Sequence, residues 1–415
     1  MSVAAAIDER ANARNALLAS FLGWTLDAFD FFILTYVLEQ VGAEFHRSIV
    51  EMTFTLTASL VMRPVGAFIF GLMADRYGRR LPLMIDVLFY SVVEILSGFA
   101  PSFTVFLILR LLYGIGMGGE WGVGASLAME SVPAKWRGIL SGVLQEGYAV
   151  GNLLAAVAFW TIFPHWGWRA MFFIGGLPAL LIFFIRARVK ESDAWRANAA
   201  ARKSWSAYFR DVAANWKRFL YLVIFMAVMN FMSHGTQDLY PRFLQHEVHF
   251  STRATAIVSV ISMVGAIAGG VLVGLYSDRT GRRRAMIVAM LLGIALIPLW
   301  VFAPQLIPTG SVAGEIALVS VGALLMQFMV QGAWGVVPAH INELSPGSLR
   351  GFFPGFAYQI GVLIAAFSAP IEAALGRHFT LAQSMGAFAA IVFVAGAIIT
   401  AAGPEAHRVS FEVGP

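Results

Sequence analysis

The sequence predicts an all-α membrane protein of twelve transmembrane helices, built as two six-helix halves that repeat one another. Three observations carry this. Of 415 residues, 59% are hydrophobic and only 13% charged, where soluble domains carry about 25% charge. The apolar residues gather into runs of roughly 20, the length that crosses a hydrocarbon core of about 30 Å. Three short motifs of the first half return in the same order in the second.

The runs cover residues 18–40, 52–74, 81–99, 103–129, 138–163, 168–187, 218–241, 253–276, 284–303, 313–342, 350–376 and 382–402. They are numbered here as spans 1 to 12. Each must be helical, because lipid offers no partner to a loose backbone N–H or C=O. Span 1 holds two aspartates and lacks a small-residue cleavage site, so it is expected to stay as an anchor. The longest charged stretch, residues 186–218, reads as one or two amphipathic helices on the membrane surface. It divides the chain into a six-helix half (1–187), a linker (188–217) and a second six-helix half with a short tail (218–415).

A net charge of +5 and a pI near 9.6 could point to nucleic acid, but topology explains the charge better. With both termini cytoplasmic, 22 of the 29 Lys and Arg residues fall in cytoplasmic segments, five fall outside, and Arg63 and Arg110 lie within spans. That is the positive-inside asymmetry of a multi-pass plasma-membrane protein, here expected to be a bacterial inner membrane. No nucleic-acid partner is expected. The chain has no cysteine, which removes thiol chemistry. Its eight histidines are scattered without an H-E-x-x-H, so neither a metal site nor an enzyme is expected.

The repeats are specific. "GLMADRYGRR" (71–80) matches "GLYSDRTGRR" (274–283), at an offset of 203 residues. "GEWGV" (119–123) matches "GAWGV" (332–336), and "ESVPAKWRG" (130–138) matches "ELSPGSLRG" (343–351), both at an offset of 213. Duplicated halves of this kind place a substrate site between them near the bilayer midplane and work by rocking one half against the other. The G-x-x-x-D-R-x-G-R-R loop, present twice, resembles the signature of the major facilitator superfamily. That resemblance covers essentially the whole chain. It implies a monomeric transporter of pseudo-twofold halves, with a central cavity lined by spans 1, 4, 7 and 10. Span 5 has "GYAVGN" (147–152) and lacks the Gly-Pro pair of the superfamily's drug antiporters, which favours a symporter.

Charged residues within a membrane are costly and are functional candidates by default. Asp75, Arg76, Arg79 and Arg80, their counterparts Asp278, Arg279, Arg282 and Arg283, and the pairs Glu130 with Arg137 and Glu343 with Arg350 sit at cytoplasmic helix ends. They read as a gating network that latches the halves together, against a plain anchoring role. The buried set of the first half is different. Asp27 and Asp30 share one face of span 1. Arg63 is in span 2, Asp86 and Glu94 in span 3, Arg110 and Glu120 in span 4, and Glu146 in span 5. Six acids against two arginines cannot all pair, and an isolated buried carboxylate must pair or take up a proton. Asp27, Asp30 and Glu120 are therefore the candidate proton carriers. The proton is the coupling ion, and no other cofactor is expected. The glycines of "RLLYGIGMGGEWGVG" (110–124) read as helix packing, not as a phosphate loop.

Span 7 carries "NFMSHGTQDLYP" (230–241). Asn230, His234, Gln237 and Pro241 fall on one helical face, and Ser233 and Asp238 flank it. His234 and Asp238 are four apart and can pair. Amide and imidazole donors together with an arginine suit a small carboxylate, and an imidazole can couple its charge to a proton. The bland alternative is a polar face that glues helices together. "N-x-x-S-H-x-T-Q-D" resembles the seventh-span signature of the lactate/pyruvate proton symporters, grouped with bacterial sialic acid carriers as sialate:proton symporters. The resemblance implies substrate and proton roles for Asn230, His234, Gln237 and Asp238. One position departs, because Arg242 stands where that signature has threonine. The charged centre leaves no room for the two extra spans of the sialic acid carriers, while "GWTLDAFDFF" (23–32) resembles the first span of aromatic-acid symporters.

The expected function is a proton-coupled symporter of a small monocarboxylate, lactate or pyruvate. Asn230, His234, Gln237 and either Arg110 or Arg63 would meet the carboxylate, with Gln327, Gln331, Tyr358 and Gln359 lining the second half of the cavity. Symporters of sialic acid, aromatic acids or short dicarboxylates are the alternatives, followed by a drug antiporter or a nutrient sensor. His234→Ala is expected to reduce substrate uptake strongly while the protein still folds and inserts. Full retained uptake in the variant would contradict the motif assignment.

Overall fold

The computed structural model describes residues 3–199, 204–307 and 310–411. All regular elements among them are helices. Spans 1 to 4 are continuous: Val3–Glu44, Ile49–Tyr77, Arg80–Gly98 and Phe103–Ser131. Span 5 is built in two pieces, Arg137–Gln145 and Gly147–Thr161, that meet at Glu146. Span 6 is the pair Phe163–Ile174 and Leu177–Arg188, bent by 43°. In the second half span 7 is Trp216–Gln237, continued by Tyr240–His246. Span 8 is Thr252–Thr280, and span 9 starts at Arg282. Span 10 is Val312–Leu344, span 11 begins as Phe353–Ala365 and continues as Ser368–Leu375, and span 12 is Leu381–Ala402.

Ten of these are long and apolar enough to cross a membrane, and the bent span 6 makes up to eleven. Span 5 completes the twelve as a two-piece helix, since neither piece of 9 or 15 residues suffices alone. The linker forms two short helices, Asp193–Ala199 and Trp205–Ala214.

Local chemistry sets the helix ends. Spans 2, 4, 8, 10 and 12 each follow a Ser or Thr whose hydroxyl accepts the N–H three residues on, which satisfies one of the four orphan donors of a helix start. The duplicated loops fold alike. Gly78 and Gly281 both take φ 99°, a region open without strain only to glycine. Each loop glycine precedes a helix start capped by a distant carboxylate. Glu191 accepts the N–H of Arg79 and Arg80 at 2.8 and 3.1 Å. Glu405 accepts those of Arg282 and Arg283 at 3.3 and 3.0 Å.

The halves meet along two seams. Spans 5 and 8 approach through Gly142 and Gly270, and spans 4 and 11 through Gly122 and Gly355. A Cβ on Gly122 would lie 2.5 Å from the Gly355 Cα. Only glycine permits so close an approach of two backbones. Gly122→Val is therefore expected to wedge the halves apart, with an overpacking cost of about 1–3 kcal/mol. Thermal unfolding of the detergent-solubilised protein should show a lowered midpoint. A parent-like midpoint would refute the contact.

Candidate functional site

The loop end of the molecule carries a duplicated ion network. Arg79 pairs with Asp75 at 3.0 Å and with Glu130 at 3.0 Å, and Arg350 of the other half reaches Glu130 at 3.3 Å. The mirror quartet is Arg282 with Asp278 at 2.8 Å and with Glu343 at 2.9 Å, joined across the halves by Arg137 at 3.1 Å. Backbone groups complete each acid. Asp75 accepts the N–H of Gly351 (2.6 Å) and Phe352 (3.2 Å), and Asp278 those of Gly138 (2.8 Å) and Ile139 (2.9 Å). Both donor pairs stand at the start of a span of the opposite half, where the helix dipole favours negative charge.

Not every predicted latch residue joins. Arg76 lies over the Trp205 ring of the linker at 5.5 Å, and Arg80 donates to the Arg186 carbonyl at 2.6 Å. Arg279 has no contact within either quartet. The linker adds a partner the sequence did not announce: the Tyr208 hydroxyl donates to Asp75 at 2.8 Å. Burial, and the Asp75 carboxylate beside it, push that phenol well above its usual range, so it remains a donor.

Deeper in the first half, the predicted acids are buried and largely unpartnered. Asp27, Asp30 and Glu120 are each fully buried, and Asp27 Oδ2, both Asp30 oxygens and both Glu120 oxygens lack a hydrogen-bond partner. Tyr113 donates to the Asp27 carbonyl at 2.8 Å, with Asp27 Oδ1 at 3.4 Å. Glu120 leans across to span 1, its Oε1 filling the space that a Cβ on Gly23 would need. Carboxyls so placed carry charge only at high cost, which suits groups that gain and lose protons.

The two arginines have different fates. Arg110 is tied to Glu94 at 2.6 Å and lies against the Tyr113 and Phe172 rings at 4.7 and 5.1 Å. Arg63 is 4% exposed, and its Nε and Nη2 have no hydrogen-bond partner. Its guanidinium sits 5.7 Å from the ring centroid of Tyr358, a residue of the other half. Arg110 also keeps Nε and Nη1 without a partner, so the two differ in counter-charge and place: Arg110 has Glu94, and Arg63 stands at the boundary between halves.

Span 7 presents its stripe as an amide network. Gln237 donates to Ser233 and to Gln327, both at 3.1 Å, and Gln331 donates to Ser233 at 3.2 Å. Gln327 also reaches the Thr236 hydroxyl at 3.2 Å. His234 Nδ1 lies 3.2 Å from Asp238. Asn230 instead bonds its own helix at Met226, 2.8 Å away, and Gln359 donates across the halves to the Gly118 carbonyl at 3.4 Å. Exposure rises along the stripe. Asn230 is 3% exposed, whereas the side chains of His234 and Asp238 keep 41% and 40%. The stripe therefore runs from the packed middle of the molecule toward its open end.

Aromatic rings form a layer at the level of Arg63. Trp121 lies 4.3 Å from Tyr358, Trp24 stacks on Tyr148 at 5.4 Å, and Trp334 meets Tyr358 at 6.0 Å. These rings come from spans 1, 4, 5, 10 and 11, so both halves contribute. The sequence held a signal for two of them, since Trp121 and Trp334 are the tryptophans of the repeated G-x-W-G-V motif. Trp24 and Tyr148 lie in the segments 23–32 and 147–152, but neither segment's pattern marks its ring as lining the boundary between halves.

A sequence model of the Major Facilitator Superfamily matches residues 20–369. The chain belongs to this superfamily. It is 30% identical to the sialic acid transporter NanX of Escherichia coli, over 87% of this chain and 86% of that one. It is 30% identical to a probable 4-methylmuconolactone transporter of Cupriavidus pinatubonensis, over 95% and 91%. A carboxylic acid transporter protein homolog of Saccharomyces cerevisiae is 29% identical over 88% of this chain, which spans only 62% of that relative's length. Among solved structures, the proton:xylose symporter XylE superposes with a TM-score of 0.77 at 19% identity, covering 97% of this chain and 98% of that one. This Major Facilitator Superfamily member is thus a multi-pass membrane transporter and not an enzyme.

The contrast between the arginines is testable. Glu94→Gln strips Arg110 of its counter-charge in a water-free interior, where breaking a buried pair costs about 3–5 kcal/mol. Arg63→Gln removes a guanidinium whose Nε and Nη2 have no protein partner and is expected to cost less thermal stability than Glu94→Gln. Equal losses of melting temperature in both variants would contradict this division.

Proposed function

We propose that the protein is a proton-coupled symporter of a small organic anion bearing one carboxylate, with lactate and pyruvate the substrates that the seventh-span motif implies. The observation that carries this reading is Arg63: a buried guanidinium with unused donors, on the boundary between the halves. A carboxylate is the group such a fork binds best. Asn230, Gln237, Gln327 and Gln331 supply neutral amide donors and acceptors on the facing half. Asp27, Asp30 and Glu120 carry the proton, and the His234–Asp238 pair serves at the open end. The relatives' names support an organic acid, since they include transporters of sialic acid, 4-methylmuconolactone and cis,cis-muconate.

In this reading the loop end is cytoplasmic, as the positive-inside asymmetry requires, so the latched state faces outward. Both termini lie in the cytoplasm, the membrane is the plasma membrane, and the working unit is a monomer. Transport proceeds by alternating access, with the two ion quartets opening as the outer ends close.

A second reading has its own observation. The ring layer of Trp24, Trp121, Tyr148 and Tyr358 beside Arg63 suits a flat conjugated or aromatic acid, whose ring would stack while its carboxylate meets the guanidinium. Two relatives are named as niacin transporters.

Purified protein in proteoliposomes separates these readings. Labelled lactate uptake is expected to rise when an inward proton gradient is imposed, and unlabelled pyruvate should compete. No stimulation by the gradient would sink proton coupling. Competition by nicotinate or benzoate but not by pyruvate or acetate would favour the aromatic-acid reading.

A further inference from the structure

The segment that follows span 12 is a structural copy of the segment that follows span 6. Glu191 caps the start of span 3, and Trp195 Nε1 donates to the Asp75 carbonyl at 3.0 Å. Glu405 caps the start of span 9, while His407 Nε2 (3.1 Å) and Arg408 (2.9 Å) bond the Asp278 carbonyl. The two glutamates are 214 residues apart, close to the 213-residue offset of the later motifs. The duplication therefore extends beyond the spans to the chain that trails each half.

The copies then diverge. The first runs on into the linker. The second turns at Arg408, which adopts φ 62°, and brings its next residues onto the seam between the halves. Arg137 of the first half donates to the Val409 carbonyl at 3.0 Å. Phe411 lies between two guanidinium groups, Arg137 and Arg350, each 3.8 Å from its ring centroid. These are the two arginines that cross between halves to reach Glu343 and Glu130. Phe411 is 7% exposed and packs among Ala128, Met129 and Leu144 of the first half and Ala339 of the second. A phenyl ring held between two cations in a dry seam is a strong pair of cation–π contacts. The ring cannot stay between both guanidinium groups once the halves separate at this end.

We propose that residues 405–411 are a built-in bolt: Phe411 wedges between Arg137 and Arg350 in the state closed at the loop end, and the tail must withdraw before that end can open. Anything that draws the tail away would bias the transporter toward the opposite state. The bolt acts on the conformational equilibrium and is independent of which anion is carried.

The absence of cysteine in the chain permits a clean test. Ser141 is fully buried in the seam, where its hydroxyl accepts the Ala339 N–H at 3.0 Å. A Ser141→Cys reporter in the full-length protein is alkylated by a water-soluble maleimide only when the seam opens. Adding Phe411→Ala is expected to raise the alkylation rate about tenfold, the order expected for loss of two desolvated cation–π contacts. Phe411→Trp keeps a ring between the cations and should stay within about twofold of the reporter alone. Phe411→Leu keeps apolar bulk without a π face and should fall between them. A second reporter, Ser320→Cys, is buried within span 10 and should stay unreactive throughout. Unchanged alkylation at position 141 in Phe411→Ala, an equal rise in Phe411→Trp, or a parallel rise at position 320 would each overturn the proposal.

Discussion

Two carboxylates, Asp75 and Asp278, stand at the end of a helix in one half and take their N–H donors from the first turn of a helix in the other. Every other feature of the closed end depends on that arrangement. A buried carboxylate that loses donors is costly, and each acid has its full donor set only while the halves are docked. The glutamates above them repeat the logic, with each binding one arginine from its own half and one from the other. Buried ion pairs add little net stability over well-packed apolar groups. In the proposed cycle their value is conditional, because the same groups would meet water and lose these partners as the end opens. A network of this kind gives two defined states and disfavours intermediates, as an alternating-access machine requires.

The halves share a fold and divide the chemistry. The first half holds Asp27, Asp30, Glu94 and Glu120 with both intramembrane arginines, while the second offers amides, an imidazole and ring faces. Position by position the asymmetry is sharp. Glu146 breaks span 5, and the residue 213 positions later is Gln359, which bonds across to Gly118. The division is not complete, since the second half keeps a buried acid of its own, Glu372, whose two carboxyl oxygens lack a hydrogen-bond partner.

Much of this was legible in the sequence because lipid removes alternatives. Run length sets the spans, and the three repeated motifs give the two halves and their register. The charged residues of the loop end were readable from their repeats, but not their pairing: Arg137 and Arg350 do not bind the glutamate seven residues before them and instead exchange halves, Arg137 binding Glu343 and Arg350 binding Glu130. What escaped has a common cause. The choice between Arg63 and Arg110 depends on Glu94 lying one helix away at 2.6 Å, a fact of packing that no spacing encodes. The breaks in spans 5, 6 and 11 arise where helices bend around neighbours. Trp24, Tyr148 and Phe411 are aromatic residues in apolar or tail segments, and only the fold brings them to a seam. Asn230 fits the motif yet spends its amide on its own helix, so a pattern match located the stripe without ranking its members.

In the proposed cycle, coupling between proton and anion follows from desolvation alone. Arg63 is a buried cation beside the Tyr358 ring, and Asp27 stands among the buried acids of the same half. Closing the halves over the site removes the remaining water, and an unbalanced charge then costs several kcal/mol. A carboxylate on Arg63 leaves the pocket neutral only if the nearby acids are also neutral, that is, protonated. An anion without a proton leaves a surplus negative charge, and a proton without the anion leaves the guanidinium bare. Both half-loaded states are therefore held open by the energy of burying charge, and the fully loaded one is free to close. No dedicated contact between substrate and proton site is needed. The ring layer strengthens this selection, since each aromatic face that excludes water lowers the local dielectric and raises the cost of a wrong charge state.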